Sequence, residues 1–237
     1  RYIIDFGVDM SERDAAGYAL PFAHVRARVL PERQVNKRAS YRDRWWIHVE
    51  ARPGLRAAIG PLRRFIATPT VGRHRIFVWL VRPTLPDHQL IVIAREDAYT
   101  FGVLHSRVHE LWSLRMGTRL GFGNDPRYTP TTTFETFPFP WPLDTPEEGL
   151  DGEQRRARQV IADAAEGLDG QRRDWLAGES VKPRTLTALY NLRPDWLVNA
   201  HAALDQAVLA AYRWGPELAD EELLARLLAC NLERAGR

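Results

Sequence analysis

The chain has 237 residues, 45% of them hydrophobic, which is enough for one large or two modest hydrophobic cores. The sequence holds no run of 18 or more apolar residues, and its first residues do not form a signal peptide, so neither a membrane-spanning helix nor a secretory leader is expected. The single cysteine, Cys230, excludes an internal disulfide and a cysteine-based metal site, as expected for a protein of a reducing cytosol.

The formal net charge of +3 conceals an uneven distribution. Residues 1 to 140 carry 21 lysines and arginines against 13 acidic residues, whereas the remaining residues carry 12 against 17. The excess is greatest between Phe22 and Arg75, where 13 basic residues accompany three acidic ones. Such a concentration of positive charge is typical of phosphate-binding surfaces. Only Lys37 and Lys182 are lysines, so the charge is carried by arginine, which can bond guanine bidentately or clamp phosphate.

The first predicted elements are helices. Ser11, followed by acidic residues, predicts an N-cap and a short helix over residues 11 to 17. Pro21 predicts the first position of a second helix, with an apolar face that includes Phe22 and Val25.

A pair of tryptophans, Trp45 and Trp46, follows a very polar loop. Paired tryptophans are most often core or lid residues. Because Arg42 and Arg44 flank them, the alternative is that they edge a nucleic-acid groove.

Three runs rich in β-branched and aromatic residues predict adjacent strands at 65–68, 75–81 and 89–94. Residues 69–74 would join the first two strands as a hairpin-like loop. Arg73, His74 and Arg75 are candidate donors to bases or phosphates. Alternation along a strand would place the two arginines on one face and His74 on the other. A solvated basic turn is the alternative interpretation for each of the three.

One helix is predicted from Asp97 to Met116, ended by Gly117, with a buried apolar stripe. His105 and His109 are four residues apart, a spacing that a metal ion can use. Because no third ligand belongs to a recognisable motif, packing or hydrogen bonding inside the core is the preferred interpretation.

The segment 127–142, called the strap below, is expected to be extended and irregular. Its three consecutive threonines are stiff at χ1, and prolines on both sides oppose a helix. Its aromatic residues need apolar surface, so the strap is expected to cross the domain and close it. These residues are Tyr128, Phe134, Phe137, Phe139 and Trp141.

The tetrapeptide Asp125-Pro126-Arg127-Tyr128 resembles the motif with which amino-methyltransferases hold their target base. Its third residue is arginine, and no strand followed by a glycine-rich cofactor loop precedes it, so a turn is predicted instead of a catalytic site.

The residues after Pro142 predict an acidic helical region, with helices at about 150–176, 184–191, 194–213 and 218–234. Gly167 and Gly170 are expected to interrupt the first of these. The arginine clusters at 155–158 and 172–173 are interpreted as solvated helix faces, with phosphate contact as the alternative.

Several long strings resemble the target recognition domain of MmeI-like DNA methyltransferases. They are Ile3-Ile4-Asp5-Phe6-Gly7, residues 99–112, Gly117-Thr118-Arg119-Leu120-Gly121 and the strap, and more weakly Tyr190-Asn191-Leu192-Arg193-Pro194 in the tail. That family includes restriction–modification proteins with methylase, recognition and often nuclease parts in one chain, and related phage-defence methylases.

The resemblance, together with the grouping of the strands, implies an α+β fold. A small, mainly antiparallel sheet flanked by helices would occupy a recognition domain at residues 1–142, followed by an all-helical subdomain at 143–237. The implied function is sequence-specific recognition of double-stranded DNA for an adenine methyltransferase domain upstream in the same polypeptide. No cofactor is expected in this chain, because S-adenosylmethionine would belong to that upstream domain.

The absence of an initiator methionine agrees with a piece of a longer protein, expected in the bacterial cytoplasm at the nucleoid. By itself the piece is expected to be catalytically silent. A protein–protein interaction domain that contacts no bases is the alternative.

Eight residues are the candidate DNA contacts. The loop from Thr70 to Arg75 is preferred for base contacts, because the resemblance implies recognition by exposed loops and strand edges. The basic residues are expected to form one positively charged face, with the acidic tail turned away. The candidates are Arg28, Arg44, Trp45, Arg56, Arg64, Arg73, His74 and Arg75.

Overall fold

The computed structural model describes residues 2–120, 125–179 and 183–236. Gly121 and Lys182, which entered the sequence analysis, lie outside these ranges. The chain separates into two compact units, residues 1–61 and 62–237, called unit 1 and unit 2. The predicted functional boundary after residue 142 falls inside unit 2. The division into a recognition domain and a helical subdomain at this boundary stays a prediction.

Unit 1 consists of short helices around a small aromatic core. The helices are α1 (Glu12–Ala16), α2 (Ala19–Arg28), α3 (Leu30–Gln34), α4 (Ala39–Asp43) and α5 (Pro53–Ile59). The predicted cap of α1 is confirmed, since the Ser11 hydroxyl accepts a hydrogen bond from the Asp14 amide. Helix α2 begins two residues before Pro21, so the proline occupies its third position. The core is made by Phe6, Ala15, Phe22, Val25, Trp45 and Ile47.

Unit 2 contains the predicted sheet, with strands β1 (Arg64–Pro69), β2 (Val78–Val81) and β3 (Leu90–Ile93). The order is β2-β1-β3 and both pairings are antiparallel, with Ile66 opposite Trp79 on one side and Ile93 on the other. Strand β2 begins three residues later than predicted. The Phe77 amide donates to Nε2 of His105 rather than to a neighbouring strand, so the ladder cannot extend to Arg75.

The single helix predicted after Asp97 is instead two helices, α6 (Ala98–His105) and α7 (Arg107–Met116). Ser106 between them has an extended backbone, and its hydroxyl accepts from the amide of His109. The serine therefore caps a new helix instead of continuing the old one.

The strap follows a two-stranded ribbon of β4 (Thr118–Leu120) and β5 (Asp125–Arg127). The expectation of a wholly extended strap is wrong, because Pro130–Thr133 form a one-turn helix, α8. Pro130 is pre-organised for a helix start, and the hydroxyl of Thr133 donates to the carbonyl of Thr129, which offsets the poor helix propensity of threonine. The aromatic side chains do pack on the core, with Tyr128, Phe137 and Phe139 buried.

The helical region is confirmed, and with the antiparallel sheet it makes the fold the predicted α+β class. A 3₁₀ turn at Glu147–Gly149 precedes helices α9 (Gly152–Ala177), α10 (Leu186–Leu192), α11 (Asp195–Ala211) and α12 (Asp220–Ala235). Helix α9 runs through Gly167 and Gly170 without a break, contrary to prediction. Each glycine costs about 1 kcal/mol in a helix, and burial of Ile161, Ala165 and Leu168 against the core of unit 2 offsets that cost.

Candidate nucleic-acid interface

The loop after β1, residues 70–77, is fixed by backbone hydrogen bonds to two strands. The Thr70 amide donates to the Gln89 carbonyl at 2.7 Å, and the Thr70 carbonyl accepts from the Tyr128 amide at 2.8 Å. The Gly72 amide donates to the Pro126 carbonyl at 3.4 Å, and Val71 forms an isolated antiparallel bridge with Arg127. The loop therefore lies beside β5 at the edge of unit 2.

Arg75 is buried within this loop. Its guanidinium donates to the Pro69 carbonyl at 2.6 Å, the Thr68 hydroxyl at 3.1 Å and the Pro126 carbonyl at 3.3 Å. It also lies 5.0 Å from the centre of the Tyr128 ring. Burial lowers the pKa of this guanidinium from its usual value. Arg75 thus ties the loop to β1 and β5.

The predicted division of faces in this loop is wrong, because Arg73 is exposed whereas Arg75 is buried. Residues 73–77 form no strand, so the alternation of a hairpin does not apply. A base contact by Arg75 would require it to leave three protein acceptors.

His74 lies half-buried between these arginines and faces the helical region. Its Nε2 is 2.8 Å from Oδ1 of Asn191 at the end of α10, and its ring is 5.9 Å from the ring of Tyr190. The tail string Tyr190-Asn191 therefore holds the candidate recognition loop.

The ribbon β4–β5 presents two further exposed arginines, Arg119 and Arg127. Thr118 pairs with Arg127, and Arg119 pairs with Pro126, so the two arginines project from opposite faces of the ribbon. Together with Arg73 they form what we call the arginine edge. Sequence reasoning did not select Arg119 and Arg127, although both stand in strings that carried the family resemblance.

Arg64, the remaining candidate in unit 2, is engaged inside the protein. Its guanidinium donates to Glu166 on α9 at 3.0 Å and lies 4.0 Å from the centre of the Trp79 ring. The side chain retains 34% of its exposure, so a phosphate could still approach it.

Three of the four candidates in unit 1 have protein partners. Arg56 forms a bidentate pair with Asp5 at 2.7 and 2.9 Å, and this hydrogen bonding lowers the pKa of Asp5. Arg44 donates to the carbonyl of Val8. Trp45 is 6% exposed and packs 5.2 Å from the Phe22 ring, as in the core interpretation. Arg28 is exposed. The predicted positively charged face would include residues of both units, and it stays a prediction.

The two histidines of α6 and α7 make hydrogen bonds inside unit 2. Nδ1 of His105 donates to the Phe101 carbonyl, and its Nε2 accepts from the Phe77 amide and from Arg172. His109 bonds the Leu104 carbonyl and the Tyr128 hydroxyl. Burial is the main cause that lowers both pKa values, for His109 to about 3. Within the described ranges no group of three or more His, Cys, Asp or Glu residues could hold a metal ion.

Unit 2 thus consists of a small antiparallel sheet and a two-stranded ribbon with a helical region, and the arginine edge is exposed. Residues 74–141 match the family model described as the MmeI target recognition domain, so this segment belongs to that family and the resemblance seen in the sequence is confirmed.

Two known proteins resemble larger parts of the chain. DNA methyltransferase A of Bacillus subtilis strain 168 is 33% identical over 156 residues, which are 65% of this chain and 16% of the relative. The structure of the type IIL restriction–modification enzyme MmeI in complex with DNA matches with a TM-score of 0.71 at 18% identity. That match covers 98% of this chain and 29% of the MmeI chain. The chain thus spans less than a third of each of these proteins.

Proposed function

We propose that this chain recognises a specific sequence in double-stranded DNA, as the recognition part of an adenine DNA methyltransferase. The observation that carries the proposal is the arginine edge, which is exposed on a segment of the MmeI target recognition domain family. Exposed arginines supply the donors that contact guanine edges and phosphates.

The ribbon β4–β5 suits the major groove, which admits a two-stranded antiparallel ribbon. Because Arg119 and Arg127 project from opposite faces, a ribbon inserted in the groove would direct them to its two sides. Arg73 on the adjoining loop would contact bases or phosphates next to the ribbon. Arg75, His74 and Asn191 would keep that loop in place without contacting DNA.

The methylation chemistry is proposed for another domain of the same polypeptide, lying upstream. That domain would bind S-adenosylmethionine and receive the target adenine, while the present chain would select the site. Such a protein would act in a restriction–modification or phage-defence system in the bacterial cytoplasm. Within the described part of the chain, no helix has the length and apolar character needed to cross a membrane.

Selection from a randomised duplex pool tests the proposal. The chain is immobilised, the bound duplexes are sequenced, and affinity for the enriched motif is then measured between 50 and about 200 mM salt. We expect one enriched motif and an affinity that falls steeply with salt, because each neutralised phosphate releases counterions. A protein–protein interaction domain, the alternative function, would enrich no motif and would bind DNA weakly at all salt concentrations.

A further inference from the structure

A cavity of about 260 Å³ lies in unit 2 next to the candidate recognition loop. His74 forms part of its wall, and the other walls come from α6, α7, α10, α11 and the turn between α10 and α11. The lining is equally polar and apolar in character. Its polar members outside the loop are His105, Arg107, Glu110, Tyr190, Arg193, His201 and Asp205.

Two carboxylates line this cavity, that of the half-buried Asp205 and that of the exposed Glu110. Oδ1 of Asp205 accepts from the Arg107 amide at 2.7 Å. Among the described residues, no other donor bonds the Asp205 carboxylate and none bonds that of Glu110. Burial raises the pKa of Asp205 to about 6. An occupant that donates hydrogen bonds would satisfy these oxygens.

The charges around the cavity narrow the class of occupant. The two carboxylates disfavour a phosphate or another anion. The guanidinium groups of Arg75, Arg107 and Arg193 disfavour a cation such as an amine or an arginine from a partner protein. Arg107 is paired with Asp220 at 3.0 Å, and Arg193 is held at the C-cap of α10 with φ 47°. A neutral molecule with both donors and acceptors fits this arrangement.

The apolar part of the lining favours a flat molecule. Leu104, Leu197 and Val198 supply aliphatic surface, and the ring of Tyr190 lies 5.6 Å from that of His201, to which its hydroxyl donates at 3.0 Å. Because the Tyr190 hydroxyl is bonded to Nε2 of His201, the two side chains can pack their apolar ring faces against a bound flat molecule.

We propose that this cavity binds a single nucleobase that carries an exocyclic amino group, as cytosine, adenine and guanine do. The amino group would donate to Asp205 and Glu110, and a ring nitrogen or carbonyl oxygen would accept from Arg193. Carboxylates accept from the amino group of cytosine in DNA complexes, and enzymes that unstack a base bind it by its hydrogen-bonding edge between apolar side chains. Thymine has no amino group, and its one N3–H donor would leave at least one of the two carboxylates without a donor from the base.

The base could come from a free nucleoside or from a nucleotide unstacked from bound DNA. The inference goes beyond the proposed function, since a base inside this cavity has left the duplex. It can be tested without duplex binding, so the two proposals fail separately.

The first experiment titrates the whole chain with cytidine, adenosine and thymidine, followed by saturation-transfer NMR. We expect binding of cytidine and adenosine, and binding of thymidine about tenfold weaker. Asp205→Asn should weaken cytidine binding by about tenfold, because the amide can keep the bond from the Arg107 amide but replaces one acceptor with a donor. Asp174→Asn, on the exposed side of α9, is the matched control and should bind as the parent does. Equal binding of thymidine, no binding of any nucleoside, or an unchanged Asp205→Asn affinity would overturn the proposal.

The second experiment identifies the source of the base. Duplexes with one bulged cytidine, one bulged thymidine or no bulge compete with free cytidine for the cavity. If only the duplex with the bulged cytidine displaces free cytidine, the cavity binds an unstacked base of DNA. If none of the three duplexes displaces cytidine, the cavity binds a free nucleoside. Displacement by the thymidine bulge as strongly as by the cytidine bulge would contradict the recognition of an amino group.

Discussion

Arg172 donates a hydrogen bond to Nε2 of His105 across 2.8 Å inside the core of unit 2. The same guanidinium donates to the Phe77 carbonyl at 3.1 Å, the Asp169 carboxylate at 2.9 Å and the Tyr190 hydroxyl at 3.3 Å. Its side chain is 2% exposed. Arg172, on α9, therefore joins the segment before β2 to helices α6 and α10, and both of these helices line the cavity next to the candidate recognition loop.

Replacing Arg172 with methionine is expected to reduce the free energy of unfolding by about 3–5 kcal/mol, because it leaves the buried acceptors on His105 and Phe77 without their charged donor and removes one of the two cations that pair with Asp169. Urea unfolding measures the change. Arg173→Met is the matched control, since Arg173 pairs with the same Asp169 at 3.1 Å but its side chain is 73% exposed. Arg173→Met should reduce the free energy of unfolding by at most about 1 kcal/mol. Similar losses in the two variants would contradict the role given to Arg172.

Acid should destabilise unit 2 through its buried histidines. Burial lowers the pKa of His109 to about 3 and that of His201 to about 4, from the ordinary value of 6.5, and His105 is shifted in the same direction. Between pH 6.5 and these values the unfolded chain binds more protons than the folded chain, so stability falls as the pH falls. The raised pKa of Asp205 acts in the opposite direction over part of this window.

Comparison with His109→Gln isolates one histidine. The parent chain should lose about 1.4 kcal/mol more per pH unit than the variant between pH 6 and 4, because only the parent takes up that proton on unfolding. Chemical unfolding at a series of pH values measures both slopes. Parallel slopes for the parent and His109→Gln would show that His109 is not buried as a neutral ring.

Local signals in the sequence predicted much of the fold. The cap at Ser11, the runs of β-branched and aromatic residues in the sheet and the start signals of the C-terminal helices each depend on neighbouring residues, and the structure has the cap, the sheet and the helices. The break at Ser106 was missed although it is local, because an apolar stripe continues across it and outweighed the weak preference of one serine for a cap position.

The sequence could not predict the burial of arginine, which depends on distant acceptors. Arg172 was interpreted as part of a solvated helix face, yet one of its acceptors is the carbonyl of Phe77, 95 residues away. Arg75 was interpreted as a base contact, yet its acceptor on Pro126 is 51 residues away. Only the folded chain brings these carbonyl groups together, so residue type and spacing overestimate the number of arginines available to DNA.

The contact between α6 and α9 gives a further prediction. A Cβ added to Gly102 would lie 2.8 Å from Cγ2 of Ile161 and 3.0 Å from Cβ of Ala165, so Gly102→Ala should overpack this contact and cost about 1–3 kcal/mol. Gly167→Ala is the matched control. It lies within α9 with nothing within 4 Å of an added Cβ, so it should stabilise the chain by about 0.5–1 kcal/mol. Opposite signs in thermal unfolding are expected, and a stabilised Gly102→Ala would show that the two helices can separate without cost.

The two arginines of the recognition loop should respond differently to the same substitution. Arg75→Ala removes a buried guanidinium from three oxygen acceptors, and we expect it to reduce the free energy of unfolding by about 1–3 kcal/mol. Arg73→Ala removes an exposed side chain, so it should change stability by less than about 0.5 kcal/mol.

Under conditions where both variants are folded, Arg73→Ala should impair DNA binding more than Arg75→Ala does. If Arg73 contacts a base, Arg73→Ala relaxes the selected motif at one base pair, with a loss of about 1–3 kcal/mol of discrimination there. If Arg73 contacts only a phosphate, the selected motif is retained and affinity falls for all sequences alike. The slope of log affinity against log salt concentration then decreases by about the amount expected for one phosphate contact. Sequencing the duplexes that each variant selects, together with salt titrations, separates these outcomes. An Arg73→Ala chain with the parent motif, affinity and salt dependence would remove Arg73 from the interface.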